Sequence, residues 1–538
     1  MAPDYNRSET YEVSVTNVTD GDTLDVEFSD GTTEELRVIG IDAPETERNR
    51  QFERPQEWEG IEDSEYLTQW GENAKEYAKT ELSGATVTVS FDENEPIRGE
   101  YDRLLMYVET PTEDDGQARL YNRALIEEGL ARVYGSSLTH HAEFWAAEDE
   151  ARTNGAGLWA ESNPEATTES RDRPVTDLFI PKPSSIRTDS GALADDRVPV
   201  FAEATARQEL QDRDHGVEYD RMPLVGTDTD ARTGMIGGLL IDEKYEKAEG
   251  FEVDTANFEN FVFLTNLIDY LSDRSGSVLI DGGHSQFSEE YAITNEEAAY
   301  YQRYLEGQDG IEFEQVNEFT KSRFADARAM IVSSPASPYT DTEVDLLAEF
   351  RDNGGAVVVL GSATASATAR ENLDDLVERL GSDLRLNEDQ VFDATHKVND
   401  DSSLPYTTVF DSSFPLFDAY SPESDSGNQG ALSLAEIHAN AAGDEYENLN
   451  DEYLVFTNPG NDTLDLTGSV VHDEAGHEYA FPEGVTLSPG EAVTLHTGSG
   501  SDDDTGLYWG ASAPIWNNTG DEVTVTDTSG NAILSREY

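Results

Sequence analysis

The chain has no cysteine among its 538 residues. Disulfides, thiolate catalysis, zinc–thiolate sites and lipidation at cysteine are therefore excluded. No apolar run approaches the roughly 18 residues that a membrane-spanning helix needs, so no transmembrane helix is expected. The opening Met1-Ala2-Pro3-Asp4-Tyr5-Asn6-Arg7 lacks an apolar signal core, which makes the cytoplasm the default compartment. Removal of an earlier signal would make the protein secreted or cell-surface instead. Lysine is scarce: 7 of the 35 basic residues, against 112 acidic ones, for a net charge of −77. The acidic excess runs along the whole chain rather than forming a tail. It resembles the proteome-wide acidity of an organism living in strong brine. Such charge favours solubility but repels itself in dilute buffer. At 1 M salt the screening length is about 3 Å and that repulsion largely vanishes. Hydrophobic residues still make up 37% of the chain, enough for packed cores, and periodic apolar segments argue against an acidic disordered protein. No internal repeat, phosphate-binding glycine loop or zinc motif is visible.

Within the first 103 residues stand four pieces that make chemical sense together. They are Asp20-Gly21-Asp22-Thr23, Arg37, Asp42-Ala43-Pro44-Glu45-Thr46 and Tyr101-Asp102-Arg103. Two carboxylates can hold a hard cation, and Asp22 and Asp42 suit Ca²⁺, which prefers oxygen ligands. Glu45 can take the proton of an attacking water. Arg37 and Arg103 can bind the charged oxygens of a phosphodiester in planar forks. That inventory is what phosphodiester hydrolysis requires. Singly, each piece has a plainer reading: Asp20-Gly21 is a turn signal, and Asp42-Ala43-Pro44 can simply end a strand.

Residues 11–159 resemble the staphylococcal (micrococcal) nuclease domain. The matching stretches are Val18–Thr23, Leu36–Thr46, Tyr101–Val108 and Asn122–Ala131, in the family's order and near its spacing, closing at Gly155-Ala156-Gly157-Leu158-Trp159. The resemblance implies a Ca²⁺-dependent nuclease of DNA and RNA that leaves 3′-phosphate ends. It implies Asp22, Asp42 and the backbone carbonyl of Ala43 as metal ligands, Glu45 as general base, and Arg37 and Arg103 as phosphate clamps. Tyr101, two residues before Arg103, is a candidate substrate contact. Two positions depart from the family: Glu100 replaces a common basic residue, and Asp102 replaces a glycine.

The expected fold is multidomain. Residues 1–160 read as an oligonucleotide-binding (OB-fold) β-barrel plus helices. Its strands are near Tyr11–Val15, Leu24–Phe28, Leu36–Ile41, Thr86–Phe91 and Leu104–Thr110. Its helices are near Gly71–Leu82, Leu120–Gly129 and Ala142–Thr153. The barrel should have its own core and cleave alone. Residues 161–195, rich in Pro, Ser, Thr and Asp, read as a linker.

Residues 196–420 alternate strands and helices, which predicts an α/β domain with a parallel sheet. The run Leu346–Leu360 resembles the class I amidotransferase-like (flavodoxin-like) fold, without its catalytic cysteine. Ser362 reads as structural. Asp281, His284 and Gln286, directly after a strand, form a candidate ligand pocket, since ligands bind at strand C-termini in such folds. A hydrogen-bonded histidine in a Gly-Gly turn explains them equally well. Residues 430–538 alternate as sandwich strands do, and Asp465–Gly468, Phe481-Pro482, Leu487–Gly490 and Trp516–Asp521 resemble the lamin-tail immunoglobulin-like domain. His472 and His477 read as strand and turn residues.

The leading expectation is thus a salt-adapted Ca²⁺-dependent nuclease acting on nucleic acid, with an unidentified target for its C-terminal module. The alternatives are a nucleic-acid or surface binding protein reusing the fold without turnover, and a main activity in the middle domain.

Overall fold

The computed structural model describes residues 5–537 except 100, 112–117, 169–171, 214, 248–250, 252–254, 285–290, 309–310, 422–431, 440, 442, 444–445, 447, 459–462, 474, 483, 489–490, 503–505, 519–521 and 527–531. The chain divides into two compact units, Met1–Tyr420 and Ser421–Tyr538. Among the described residues no helix is long and apolar enough to cross a membrane.

The first unit opens with a closed barrel. Its strands are β1 (Thr10–Val18), β2 (Thr23–Phe28), β3 (Thr33–Val38), β5 (Thr86–Ser90) and β6 (Leu104–Pro111). They follow one another in the sheet as β3-β2-β1-β5-β6, and the short β7 (Ala118–Leu120) continues it beyond β6. A parallel pairing of β3 with β6 closes the ring, with Leu36 beside Leu104 and Arg37 beside Leu105. Alternation decides the inside: Val13, Val15, Leu24, Val26, Leu36, Val38, Val87, Val89, Leu104, Met106 and Val108 are buried in one cluster. β3 starts and ends three residues earlier than the expected Leu36–Ile41, stopping at Val38. The chain turns at Ile39-Gly40, where Gly40 has φ +78°. It then forms β4 (Ile41–Asp42), which pairs with β8 (Arg132–Val133).

Three helices support the barrel: α1 (Ser64–Leu82), α2 (Tyr121–Glu127) and α3 (His141–Thr153). α1 begins earlier than its apolar pattern suggested, because the Asp63 side chain caps it by accepting from the N–H groups of Glu65 and Tyr66. Gly71, Ala74, Ala78 and Leu82 recur at helical spacing and are buried.

Residues 175–420 build an eight-stranded sheet with a core on each face. Strands Phe313–Val316, Ser277–Asp281, Ala327–Ser333, Ala356–Leu360 and Thr233–Ile236 run parallel. Antiparallel strands Pro223–Asp228, Val200–Phe201 and Val409–Phe410 complete one edge. Ser362 is buried, with its Oγ 2.8 Å from Thr364 Oγ1.

The expected linker over 161–195 needs correction. Leu178-Phe179 pairs with Tyr406-Thr407, and Ile186–Thr188 pairs with Leu384–Leu386. Val175, Leu178, Phe179, Ile180 and Ile186 are buried. Two- and three-residue strands among Pro and Ser carry too little alternation to be read as strands.

Among its described residues the second unit is a sandwich of two four-stranded sheets, with Leu464-Asp465 and Thr486-Leu487 forming a further pair. One holds Ser433–His438, Tyr453–Thr457, Ala492–His496 and Gly506–Tyr508; the other holds Glu478–Ala480, Val470–His472, Glu522–Thr526 and Ala532–Glu537. Leu454, Phe456, Val471, Leu495, Trp516, Val523 and Val525 fill the space between them. His472 lies on a strand, and His477 pairs with Asp473 in the turn that follows.

Candidate active site

Barrel closure brings the scattered motifs together. Asp22 precedes β2, whose first residue Thr23 is the cross-strand neighbour of Arg37 on β3. Arg37 in turn lies beside Leu105 on β6, so Arg103 is two residues away on the same face. Leu36 and Val38 point inward, leaving the Arg37 guanidinium on the outer face of the barrel.

Asp22 is buried and held from several sides. Its carbonyl accepts from Val38 N–H at 2.7 Å, and its Oδ2 accepts from Ala43 N–H at 2.7 Å. Its Oδ1 accepts from Thr23 Oγ1 at 3.1 Å. The Asp20–Asp22 turn packs so closely that a Cβ on Gly21 would lie 2.8 Å from the Cβ atoms of Ala43 and Ala74. Tyr121 fixes it from below, its hydroxyl donating to Gly21 O at 2.8 Å.

Arg37 bridges the two expected metal ligands. One guanidinium nitrogen pairs with Asp22, and the other lies 2.6 Å from Asp42 Oδ1. Asp42 turns its second oxygen to Arg132 Nη2 at 3.1 Å. Both carboxylates offer hard oxygen donors, and Asp22 and Asp42 could hold a cation of the same preference. Among the described residues no three Asp, Glu, His or Cys side chains converge on one point, so a cation here would also draw on backbone or solvent oxygen.

Glu45 rests on helix α1. A Cβ at Gly71 would meet the carbonyl oxygens of Pro44 and Glu45 at 2.4 and 2.5 Å, so only glycine lets the helix seat this loop. The Glu45 N–H donates to Glu53 Oε2 at 2.6 Å. Burial, then the charges of Asp42 and Asp20, raise the Glu45 carboxyl to about 7. Glu53 is raised to about 7, chiefly by burial. Burial also raises Asp20, against the pull of Arg37. Of these causes, the charges of Asp42 and Asp20 beside Glu45 are the ones a divalent cation would offset.

Arg103 donates to Thr23 Oγ1 at 3.3 Å and lies 5.4 Å from the Tyr101 ring centroid. Burial and the neighbouring charge of Arg37 lower its pKa. Tyr101 is 76% exposed. Asp102, at the family's glycine position, has φ +62°, a left-handed conformation that Asp tolerates better than most residues. Its carbonyl accepts from Arg98, and its carboxylate lies 3.6 Å from the same guanidinium. Glu100 falls outside the described residues.

Arg37, Tyr101, Arg103 and Tyr134 line a cleft of about 540 Å³ whose opposite wall comes from the α/β region: Glu243, Lys244, Thr294, Glu296 and Glu297. This wall, with Arg132, Glu53 and Asp20, extends the site beyond the residues expected from sequence. Asp20 stood in the quoted motif. Arg132 left one trace, a single arginine inside the apolar Leu130-Ala131-Arg132-Val133. Glu296 left none.

Asp281 and His284 come together in the α/β region, but bind each other. His284 Nδ1 lies 3.0 Å from Asp281 Oδ2 and its Nε2 3.5 Å from Glu343, while its ring stacks on Tyr339 at 3.8 Å. Burial lowers the imidazole pKa, but the Asp281 charge and the carboxylate hydrogen bonds outweigh it and raise it to about 10. Gln286 lies outside the described residues.

Comparison with known proteins agrees with the two ends of the chain. Residues 35–161 match the family described as staphylococcal nuclease homologue, and residues 425–538 match the lamin tail domain. An uncharacterized protein of Methanocaldococcus jannaschii is 37% identical over 162 residues, 29% of this chain and 74% of the relative. The thermonuclease of Staphylococcus intermedius is 30% identical over 155 residues, 28% of this chain and 77% of the relative. That of Staphylococcus hyicus is 29% identical over 154 residues, 28% and 76%. Through its barrel the chain belongs to the staphylococcal nuclease homologues, with a lamin tail domain at its C-terminal end.

Proposed function

We propose that the protein is a Ca²⁺-dependent nuclease that hydrolyses phosphodiester bonds of DNA, RNA or both, leaves 3′-phosphate ends and works in strong salt. The observation that carries this reading is the placement of Arg37 between Asp22 and Asp42, with Arg103 beside it and Glu45 raised to about 7. Asp22, Asp42 and the Ala43 carbonyl would hold Ca²⁺, which when bound supplies positive charge to polarise a phosphoryl oxygen. Glu45 accepts the proton of the attacking water, a task suited to a carboxyl that titrates near neutrality. The water oxygen bonds to phosphorus, the P–O5′ bond breaks, and O5′ leaves as a 5′-hydroxyl by taking a proton from solvent, to which Glu45 later returns the one it accepted. Arg37 and Arg103 bind the equatorial oxygens as their charge grows, from positions fixed before substrate arrives. Tyr101 stands exposed beside Arg103, where it can contact a sugar or base.

The lamin tail domain is assigned to targeting. The test is digestion of single- and double-stranded DNA and RNA at molar KCl, with Ca²⁺ or with chelator. Cleavage with Ca²⁺ and 5′-hydroxyl, 3′-phosphate products is expected. Binding without cleavage under all these conditions would instead favour a nucleic-acid reader.

A further inference from the structure

We propose that Glu296, outside the barrel in the α/β region, is a positioning residue of the nuclease site, acting on Asp42 through Arg132; this rests on the assignment of Asp42 as a cation ligand. Arg132 lies on β8, directly across from Asp42 on β4. Its guanidinium is buried, with its centre 5.6 Å from the Trp58 ring centroid. One nitrogen, Nη2, faces three carboxylates: Glu57 at 2.7 Å, Asp42 at 3.1 Å and Glu296 at 3.1 Å.

Asp42 is thus drawn from two sides, by Arg37 at one oxygen and Arg132 at the other. A cation bound at Asp42 must compete with both. Arg132 is buried, so little water screens its side of that competition. Glu57 and Glu296 take up part of the Arg132 charge, so Asp42 is oriented by that guanidinium without being wholly claimed by it. Without Glu296, Arg132 has two carboxylates to satisfy it and binds Asp42 more tightly.

Glu296 is well placed to do this because its segment is anchored to the barrel. The preceding Asn295 donates its N–H to Gln315 Oε1 at 3.0 Å. Gln315 and its neighbour Asn317 both donate to Ser136 O, at 3.3 and 2.6 Å. On the following helix, Ala299–Glu306, Arg303 donates to Pro55 O at 2.9 Å and to Gln56 O at 3.3 Å. Pro55 and Gln56 immediately precede Glu57, the other competitor for Arg132. The segments carrying the two competing carboxylates are therefore tied to each other by the Arg303 side chain.

Glu297 lines the same cleft wall but pairs with Lys244 rather than Arg132, which makes it a control for charge alone. The experiment is calorimetric titration of Ca²⁺ into the full chain at molar KCl, with circular dichroism on each variant. Glu296→Gln and Glu296→Asp should each weaken Ca²⁺ binding about tenfold, the first by losing the charge and the second by losing the reach. Glu297→Gln should weaken it less than threefold. Wild-type affinity in Glu296→Asp, or equal losses in Glu297→Gln and Glu296→Gln, would mean that only the general field matters and would overturn the assignment. So would unfolding of both Glu296 variants, which would make the residue a structural strut. A wild type that binds Ca²⁺ but cleaves nothing would refute the proposed activity and leave this assignment standing. A wild type that binds no Ca²⁺ would refute both.

Discussion

At pH 6 about one Glu45 in ten is ionised and at pH 8 about nine in ten, because the carboxyl titrates at about 7. A general base works only when deprotonated, so kcat/KM at limiting Ca²⁺ should rise about tenfold between pH 6 and pH 8 and then level off. The causes of the raised pKa give further handles. Burial is the largest, followed by the charges of Asp42 and Asp20, against a hydrogen bond from Asn49 and the charge of Arg37. Asp20→Asn removes one repelling charge and should move the acid limb down by about half a pH unit. Higher Ca²⁺ should move it the same way, since positive charge beside Glu45 favours its ionised form. Glu53 titrates in the same range, so the limb must be assigned by substitution. Glu45→Gln should cost about 10²–10⁴ in rate and abolish the limb. Glu53→Gln should leave a limb in place. The assay is initial-rate cleavage of a labelled oligonucleotide from pH 5.5 to 9 in molar KCl, with circular dichroism at each pH. A flat profile in folded wild type, or a limb that vanishes in Glu53→Gln but persists in Glu45→Gln, would refute the assignment of the base.

Arg37→Ala and Arg103→Ala should each lower kcat about 10²-fold or more by removing transition-state charge stabilisation; wild-type rates in both would refute their role as a clamp. Gly71→Ala should cut activity at least tenfold while circular dichroism shows the fold retained, because the new methyl group pushes on the Pro44 and Glu45 carbonyls. Activity should rise with KCl toward roughly 1 M or above, as salt screens a net charge of −77 and an acidic cleft wall; a monotonic fall in the folded protein would contradict this. Above pH 6.5 thermal stability should fall by a few degrees toward pH 9. Burial raises Glu148 to about 8, and Asp281 holds His284 at about 10, so the folded state keeps protons that the unfolded chain has released; a flat melting temperature would contradict it. Buried His141, lowered to about 3, opposes this trend only below pH 6.5.

Much of the barrel was legible because β-strand alternation is local. Val13 and Val15, then Leu24, Val26 and Phe28, announce their inner face within a few residues. The site motifs were legible as residue types, but their meeting was not. Arg37 and Arg103 become neighbours only through the parallel β3–β6 pairing, which depends on 65 intervening residues and leaves no mark in either strand. The turn at Gly40, read as strand, is what brings Asp42 back toward Arg37. Glu296 could not be found at all: it is one of 112 acidic residues, distinguished only by where the α/β region seats it. The short strands near 178–188 failed for the opposite reason, being too brief to show a period.

The pairing of Arg37 with Asp22 and Asp42 bears on the end of the catalytic cycle as much as on its middle. In a chain this acidic, a loosely held arginine would be sequestered by whichever carboxylate drifted near. Arg37 already has its own, so a phosphate gains the guanidinium only by displacing ligands that stay within reach. When the product leaves, those carboxylates close back without waiting for solvent or for a distant segment to move. They act as built-in displacing ligands. Retention of terminal phosphates should consequently be weak, and the enzyme should tolerate high concentrations of its own cleaved ends.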